Sequence, residues 1–364
     1  MSSFSSAERA ANRIPGTLIT GFLGSGKTTL LNALLRHPGM RDTAVIVNEF
    51  GEVGLDHLLI ETAFEDAVLL KSGCICCTTR GDLVDTLGDL FERRSRGAIP
   101  HFDRVVIETT GLADPAPILH MLMAEAAITE RYRLDRVIAT IDAANASHQL
   151  ERQYESAKQA AMADRLVLTK TDLASPREIE AVTARLRALN PTAPVLRAVK
   201  GAIDPAVLFD RIDGGALRAE TFEADDPHVR HDHNHDHDHE HDAHEEHLHG
   251  IASWSLTHSG PVSWRRLAAW LEALVSLRGP DLLRLKGIVE VEGRTRPMVV
   301  HGVQHVLHPA SELERWPGSE RGTRIVFITR DIAASALAAS FRASVAQRES
   351  FSALQGGGVR GGGS

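Results

Sequence analysis

Between residue 15 and about residue 222, short β-branched runs alternate with longer stretches in which apolar residues recur at helical spacing. Residues 17–20, 43–48, 67–70, 104–108, 136–141, 165–169 and 194–198 are predicted strands. Several of these runs are apolar throughout rather than at every second position, as expected of strands covered on both faces of a parallel sheet. Residues 82–94, 144–163 and 175–189 have the length and composition of helices. The order predicts an α/β fold, a doubly wound and mainly parallel sheet with its ligands at the carboxyl ends of the strands. This domain is assigned to residues 14–222, after a polar tail at 1–13.

The pattern then stops. Within residues 223–250 the stretch from His228 to His249 alternates histidine with acid and contains almost no apolar side chain, so the segment cannot build a core and is predicted to be a disordered, metal-collecting linker. Residues 251–347 resume it as strands at 251–257, 282–291, 297–301 and 323–329 and amphipathic helices at 261–277 and 332–346. That order predicts a smaller α+β domain with its helices on one face of an antiparallel sheet. Residues 348–364 form a glycine-rich tail expected to fray.

Chemistry enters at the end of the first strand, where Gly21-Phe22-Leu23-Gly24-Ser25-Gly26-Lys27-Thr28 leads into Thr29-Leu30-Leu31. Strand, glycine-rich turn and helix start are the context of a phosphate-binding loop. The glycines turn backbone N–H groups towards phosphate oxygens, Lys27 reaches the β- and γ-phosphates, and Thr28 offers a hydroxyl to Mg²⁺. Gly21, Gly24, Ser25, Gly26, Lys27, Thr28 and Thr29 are therefore candidate nucleotide contacts. A second strand ends in Glu108-Thr109-Thr110-Gly111, where the acid can hold Mg²⁺ through water and the Gly111 N–H can sense the γ-phosphate. Lys27, Thr28 and Glu108 are the candidate catalytic set. A third strand opens into Thr169-Lys170-Thr171-Asp172. A carboxylate at Asp172 can accept from the N1–H and amino group of guanine, a donor pair that adenine lacks, so this element selects GTP. A competing reading makes Asp172 the cap of the helix that follows.

All three cysteines, Cys74, Cys76 and Cys77, lie within four positions, which argues against a disulfide framework and for a metal site, with a buried or redox-active thiol set as the competing reading. Three thiolates favour Zn²⁺, leave Cu(I) and Co²⁺ open, and keep a fourth position for transfer. Glu49 and Glu52, in the loop after the second strand, are possible accessory ligands. In the linker, His231, His233, His235, His237, His239 and His241 can add weak, exchangeable contacts to Zn²⁺, Ni²⁺ or Co²⁺. Scattered His101, His120, His301, His305 and His308 read as surface or packing residues. The net charge of −8, with no clustered Lys/Arg face, argues against nucleic acid as a partner. No apolar run is long enough for a bilayer span or a leader, so the reading is cytoplasmic, with no membrane partner and an open number of subunits.

Taken together, these motifs resemble the CobW-like family of metal-handling GTPases, and within it the zinc chaperones. The resemblance rests on residues 21–28, 48–56, Gly73-Cys74-Ile75-Cys76-Cys77, 108–111, 169–172, the histidine-rich stretch and Leu285-Lys286-Gly287-Ile288-Val289. It implies GTP hydrolysis coupled to transfer of zinc from the cysteine motif to a client metalloprotein, with cobalt delivery as a variant. Thr169 stands where Asn is common in the guanine motif, and is expected to hold the loop less firmly while leaving Asp172 intact. Two other classes are a small-molecule kinase, which would use ATP, and a metal buffer, which would activate no client.

Overall fold

Seven strands form the first sheet in the computed structural model, which describes residues 13–47, 68–71, 81–209, 248–318 and 321–346. They are β1 (Ile14–Gly21), β2 (Thr43–Val47), β3 (Val68–Lys71), β4 (Arg104–Glu108), β5 (Tyr132–Asp142), β6 (Arg165–Thr169) and β7 (Val195–Ala198). Their spatial order is β3-β2-β4-β1-β5-β6-β7, and every neighbouring pair is parallel. The lack of apolar–polar alternation in β1 follows from its central place: Leu18 and Ile19 are both fully buried, in separate cores on the two faces of the sheet.

Helix α1 (Lys27–Leu35) fills one face with Leu30, Leu31 and Leu34. The opposite face is covered by α2 (Gly81–Ser95), α3 (Ala116–Ala124), α4 (Ala126–Thr129), α5 (Ala146–Arg152), α6 (Tyr154–Met162) and α7 (Pro176–Leu189). Short α8 (Pro205–Phe209) returns to the α1 side through Leu208.

The predicted strands are all present, but β5 begins four residues earlier than its β-branched run, at Tyr132. The ion pairs of Asp135 with Arg133 and Arg136, at 2.8 and 2.7 Å, let charged residues continue the strand. The single helix expected over 144–163 is two, because Gln153 takes extended backbone (φ −117°, ψ 106°) and redirects the chain. The break falls where Tyr154 turns to meet His249, ring edge to ring face with centroids 6.1 Å apart. Helix α3 was not legible as a helix, for its nine residues are almost uniformly apolar and carry no helical period.

The carboxyl-terminal unit comprises β8 (Ile251–His258), α9 (Trp264–Arg278), β9 (Leu282–Val289), β10 (Met298–Val303), β11 (Val306–Leu307), β12 (Ser311–Glu312), β13 (Thr323–Arg330) and α10 (Ala334–Phe341). The sheet runs β11-β10-β9-β13-β8, with β12 beside β10, and its pairs are antiparallel. As expected, α9 and α10 cover one face, their Leu267, Trp270, Leu271, Leu337 and Phe341 sharing a core with Leu285 and Phe327. The final helix gives way to a π-helical turn at Arg342–Ala346.

The other face of that sheet is pressed onto the first domain. Arg284 of β9, 1% exposed, donates to the Met162 carbonyl at 2.6 Å and pairs with the Asp164 carboxylate. Asp164 Oδ2 also accepts from the Val137 N–H of β5 at 2.9 Å. Burial opposes ionisation of Asp164, but the Arg284 guanidinium outweighs it and holds the carboxyl well below the usual carboxylate range.

Beside this pair the His301 and His308 rings stack face to face, 4.2 Å apart and 2° from parallel, with both Nε2 atoms covered. Their assignment as packing residues holds. Burial is the main reason both stay neutral, with Arg284 adding repulsion; His308 is pushed down to about 4 and His301 well below its ordinary value. A base whose folded pKa is depressed takes up protons more readily when unfolded. The contribution of these two rings to stability is thus expected to be constant above pH ~6.5 and to fall as pH drops from there towards 4. Thermal unfolding across that range, in the native protein and in a His301→Phe/His308→Phe variant, checks this. The variant should show the flatter slope.

Candidate functional site

The carboxyl ends of β1, β4 and β6 bring the three sequence elements to one edge of the sheet. At the end of β1 the backbone of Gly21 (φ 146°) passes so close to β5 that a Cβ there would lie 2.3 Å from Thr140 Oγ1 and 2.5 Å from the Thr140 carbonyl oxygen. The loop then turns through Gly24 (φ 72°) and Gly26 (φ 92°), the latter immediately preceding α1. Ser25 is fully buried and its hydroxyl lies 2.6 Å from that of Thr140, which anchors the underside of the loop to β5.

Lys27, the first residue of α1, folds back over the loop, its ammonium donating to the carbonyls of Gly21 at 3.0 Å and Phe22 at 3.2 Å. Thr28 donates its hydroxyl to Glu108 Oε1 at 2.7 Å. Glu108 ends β4 and is 4% exposed. Hydroxyl and carboxylate are thus placed side by side, a donor set of hard oxygens that suits Mg²⁺. Thr29 follows in the first turn of α1 and is exposed. Gly111 touches the loop directly, since a Cβ there would fall 2.5 Å from Leu23 Cα and 2.7 Å from its nitrogen. Any side chain at that position would push the two loops apart.

The β6 element meets the same loop. Thr169 donates to the Ser25 carbonyl at 2.7 Å and to the Ile141 carbonyl at 3.1 Å. Although shorter than asparagine, it ties the base motif to the phosphate loop. Lys170 adopts φ 54° and donates to Asp142 Oδ2 at 2.8 Å. Asp172 stands exposed at the rim. The helix after it is capped by another residue: Ser175 Oγ accepts from the Glu178 N–H at 3.3 Å, and Glu178 returns a bond to the Ser175 N–H at 2.7 Å. This capping box removes helix capping as the reason for a carboxylate at Asp172.

The family model for the CobW/HypB/UreG nucleotide-binding domain matches residues 15–197, the span that contains all three elements. The chain belongs to this family. A second model, the cobalamin synthesis protein cobW carboxyl-terminal domain, matches residues 251–345. The zinc chaperone YjiA of Escherichia coli K12 is 35% identical over 330 residues, covering 91% of this chain and 98% of the relative. A zinc chaperone CobW from a Sinorhizobium species is 30% identical over 348 residues, covering 87% and 92%. The crystal structure of the Zn(II)-bound YjiA GTPase from E. coli superimposes with a TM-score of 0.67 at 28% identity, covering 92% of this chain and 99% of that one.

In this CobW/HypB/UreG chain several predicted site residues lie outside the described residues: Glu49 and Glu52, the cysteines Cys74, Cys76 and Cys77, and the six linker histidines from His231 to His241. Among the described residues no group of three or more His, Cys, Asp or Glu is arranged to hold a metal. His101 is exposed, and its ring lies 2.6 Å from Arg94 and 3.4 Å from Asp103, which fits its reading as a surface residue.

Sequence reasoning missed Asp142. Its carboxylate is buried and accepts from Lys170, from Asn145 Nδ2 at 2.9 Å and from the Ala144 N–H at 3.0 Å. Burial raises the pKa of this group, but the bonds from Lys170 and Asn145 prevail and hold it below the usual carboxylate range. The acid thereby fixes Lys170 at the edge of the base motif. Its position at the carboxyl end of a central parallel strand was the available signal. The rim carries three exposed leucines, Leu23, Leu112 and Leu173, at 64%, 60% and 70% exposure.

Proposed function

We propose that this protein is a GTP-hydrolysing metallochaperone that takes up zinc at Cys74, Cys76 and Cys77 and passes it to a client metalloprotein. The contact of Thr28 with Glu108, beneath a loop tied to the base motif through Thr169, carries the nucleotide half of the reading. Family membership, and the similarity to zinc chaperones over most of the chain, support the metal half. The domain division follows the sequence reading: a nucleotide domain at 14–222, a metal-collecting linker at 223–250 and a carboxyl-terminal domain at 251–347. Among the described residues no helix is long and apolar enough to cross a membrane.

In the proposed reaction Lys27 exchanges its two loop carbonyls for the β- and γ-phosphate oxygens. The backbone N–H groups of residues 24–29 surround the phosphates, and the Gly111 N–H meets the γ-phosphate. Thr28 and Glu108 would hold Mg²⁺, which neutralises charge on the β- and γ-oxygens when bound. Asp172 reads guanine, and Lys170 is kept beside it by Asp142. Zinc is cargo: three thiolates leave one coordination position for a ligand of the client, so the ion can change hands without passing through water. Glu49, Glu52 and the linker histidines supply accessory contacts. Cobalt is the second metal that this donor set accepts.

Competition of GTP, ATP and XTP for the site tests the nucleotide reading. GTP should displace a labelled GDP far more effectively than ATP, and equal competition by the two would remove the guanine assignment. Asp172→Asn should shift preference towards xanthine nucleotide, whose 2-carbonyl accepts from the new amide. A change of about 10²-fold or more in the GTP/XTP ratio is the expected size, since a mismatched base covers the polar group at residue 172 without giving it a partner.

A further inference from the structure

Helix α6 buries two side chains that helices ordinarily keep at the surface, Lys158 at 8% and Gln159 at 0% exposure. Both reach the same short segment, the one that leaves β4 after Glu108. The Gln159 amide donates to the carbonyls of Gly111 at 3.3 Å and Ala113 at 3.0 Å. The Lys158 ammonium pairs with Asp114 Oδ2 at 2.7 Å, while Asp114 Oδ1 accepts from the Ala116 N–H at the start of α3. Gly111 is in turn wedged against Leu23 of the phosphate loop. One turn of α6 therefore sets the path of residues 111–114 across the open side of the nucleotide site.

The same helix meets the carboxyl-terminal domain. Tyr154 and Lys158 are four residues apart and share a face, with the Lys158 ammonium 5.7 Å from the centre of the Tyr154 ring. Tyr154 accepts through its hydroxyl from Arg330 Nη1 at 2.7 Å, and Arg330 is held by Asp281 at 2.8 Å. At the other end of α6 the Met162 carbonyl takes its bond from Arg284. A line of polar contacts thus runs from Asp114 through Lys158 and Tyr154 to Arg330 and Asp281. The Gln159 Oε1 atom is buried without a hydrogen-bond partner, a cost of the kind that folded proteins retain at working positions.

We propose that Gln159 and Lys158 are positioning residues for nucleotide hydrolysis, setting the Gly111–Asp114 segment against the γ-phosphate, and that the Tyr154–Arg330 contact makes the carboxyl-terminal domain part of that setting. The inference rests on the reading of residues 21–28 as a nucleotide site and adds to it a route by which an event on the second domain alters hydrolysis. GDP lacks the γ-phosphate and is indifferent to the segment, so the residues should act on turnover and on GTP-analogue affinity and leave GDP affinity unchanged.

The test compares native protein with Gln159→Met, Lys158→Met, Arg330→Met and the Lys158→Met/Arg330→Met pair, measuring kcat for GTP, affinity for GDP and for a non-hydrolysable GTP analogue, and thermal stability. Gln159→Met keeps length and bulk and removes the donor. It should lower kcat by about tenfold or more, because misplacing a positioned group costs that much even at a distance. Arg330→Met should cost less, and the pair no more than Lys158→Met alone, as for residues acting along one route. Should Gln159→Met fail to fold, Lys158→Met carries the same expectation. Unchanged kcat in these variants, or parallel loss of GDP and GTP-analogue affinity, overturns the positioning role, and strictly additive losses overturn the link to Arg330. A native protein that binds neither nucleotide would instead overturn the underlying reading of the loop.

Discussion

Replacing Lys27 by Ala is expected to abolish measurable GTP hydrolysis while leaving the fold intact. The ammonium sits at the mouth of α1, bonded to the Gly21 and Phe22 carbonyls, and in the proposed complex it is the only side-chain cation of the loop itself. Phosphoryl transfer in such sites depends on positioning and charge stabilisation rather than on covalent chemistry by the protein. Loss of one preorganised donor from a site of this kind costs on the order of 10²–10³-fold in turnover. Lys27→Arg should not restore it, because the fork of a guanidinium cannot enter a loop built to close around a point charge. The measurement is single-turnover phosphate release, with circular dichroism to show that the variant is folded. Turnover within about threefold of native, well short of that loss, would move the catalytic charge to another residue.

The second large effect is expected at the cysteines. Changing Cys74, Cys76 and Cys77 together to Ser should eliminate tight zinc binding, since hydroxyls do not replace thiolates as ligands for this ion. It should also remove any dependence of zinc affinity on nucleotide. Linkage is reciprocal: if GTP changes the affinity for zinc by some factor, zinc changes the affinity for GTP by the same factor, and a serviceable switch needs a coupling of about 1–3 kcal/mol. Zinc competition titrations in the GDP and GTP-analogue states, for native and triple-Ser protein, give both numbers. Identical zinc affinities in the two nucleotide states of the native protein would sink the transfer mechanism. A triple-Ser protein that unfolds would mean that the metal is a structural staple.

Much of the nucleotide half was legible because its signals are local. A glycine-rich loop between an apolar strand and a helix announces itself within a dozen residues, and the strands were found because both faces of the sheet are covered and their runs are unbroken. What escaped depends on partners distant in the chain. Asp142 and Lys170 are 28 residues apart, Gln159 and Gly111 are 48 apart, and neither pair has a spacing that a sequence motif records. Helix α3 escaped for the opposite reason, since a uniformly apolar stretch has no period from which to read its conformation. The split between α5 and α6 at Gln153 involves neither glycine nor proline. It is imposed by tertiary contacts of Tyr154 that the local sequence does not encode.

The arginine that crosses from the second sheet to Asp164 has a consequence for how such proteins can be recombined. Arg284 and Asp164 belong to different domains, yet each is the other's counter-charge, the arginine almost wholly covered and the carboxylate 18% exposed. Removing one partner of a fully buried pair costs about 3–5 kcal/mol, and here that is an upper bound, because Asp164 keeps some access to water. A chimera that joined this nucleotide domain to the carboxyl-terminal half of a distant relative would inherit that cost unless the incoming half brought a matching cation to the same spot. Grafting is therefore governed less by where the linker is cut than by whether residues 164 and 284 travel as a couple.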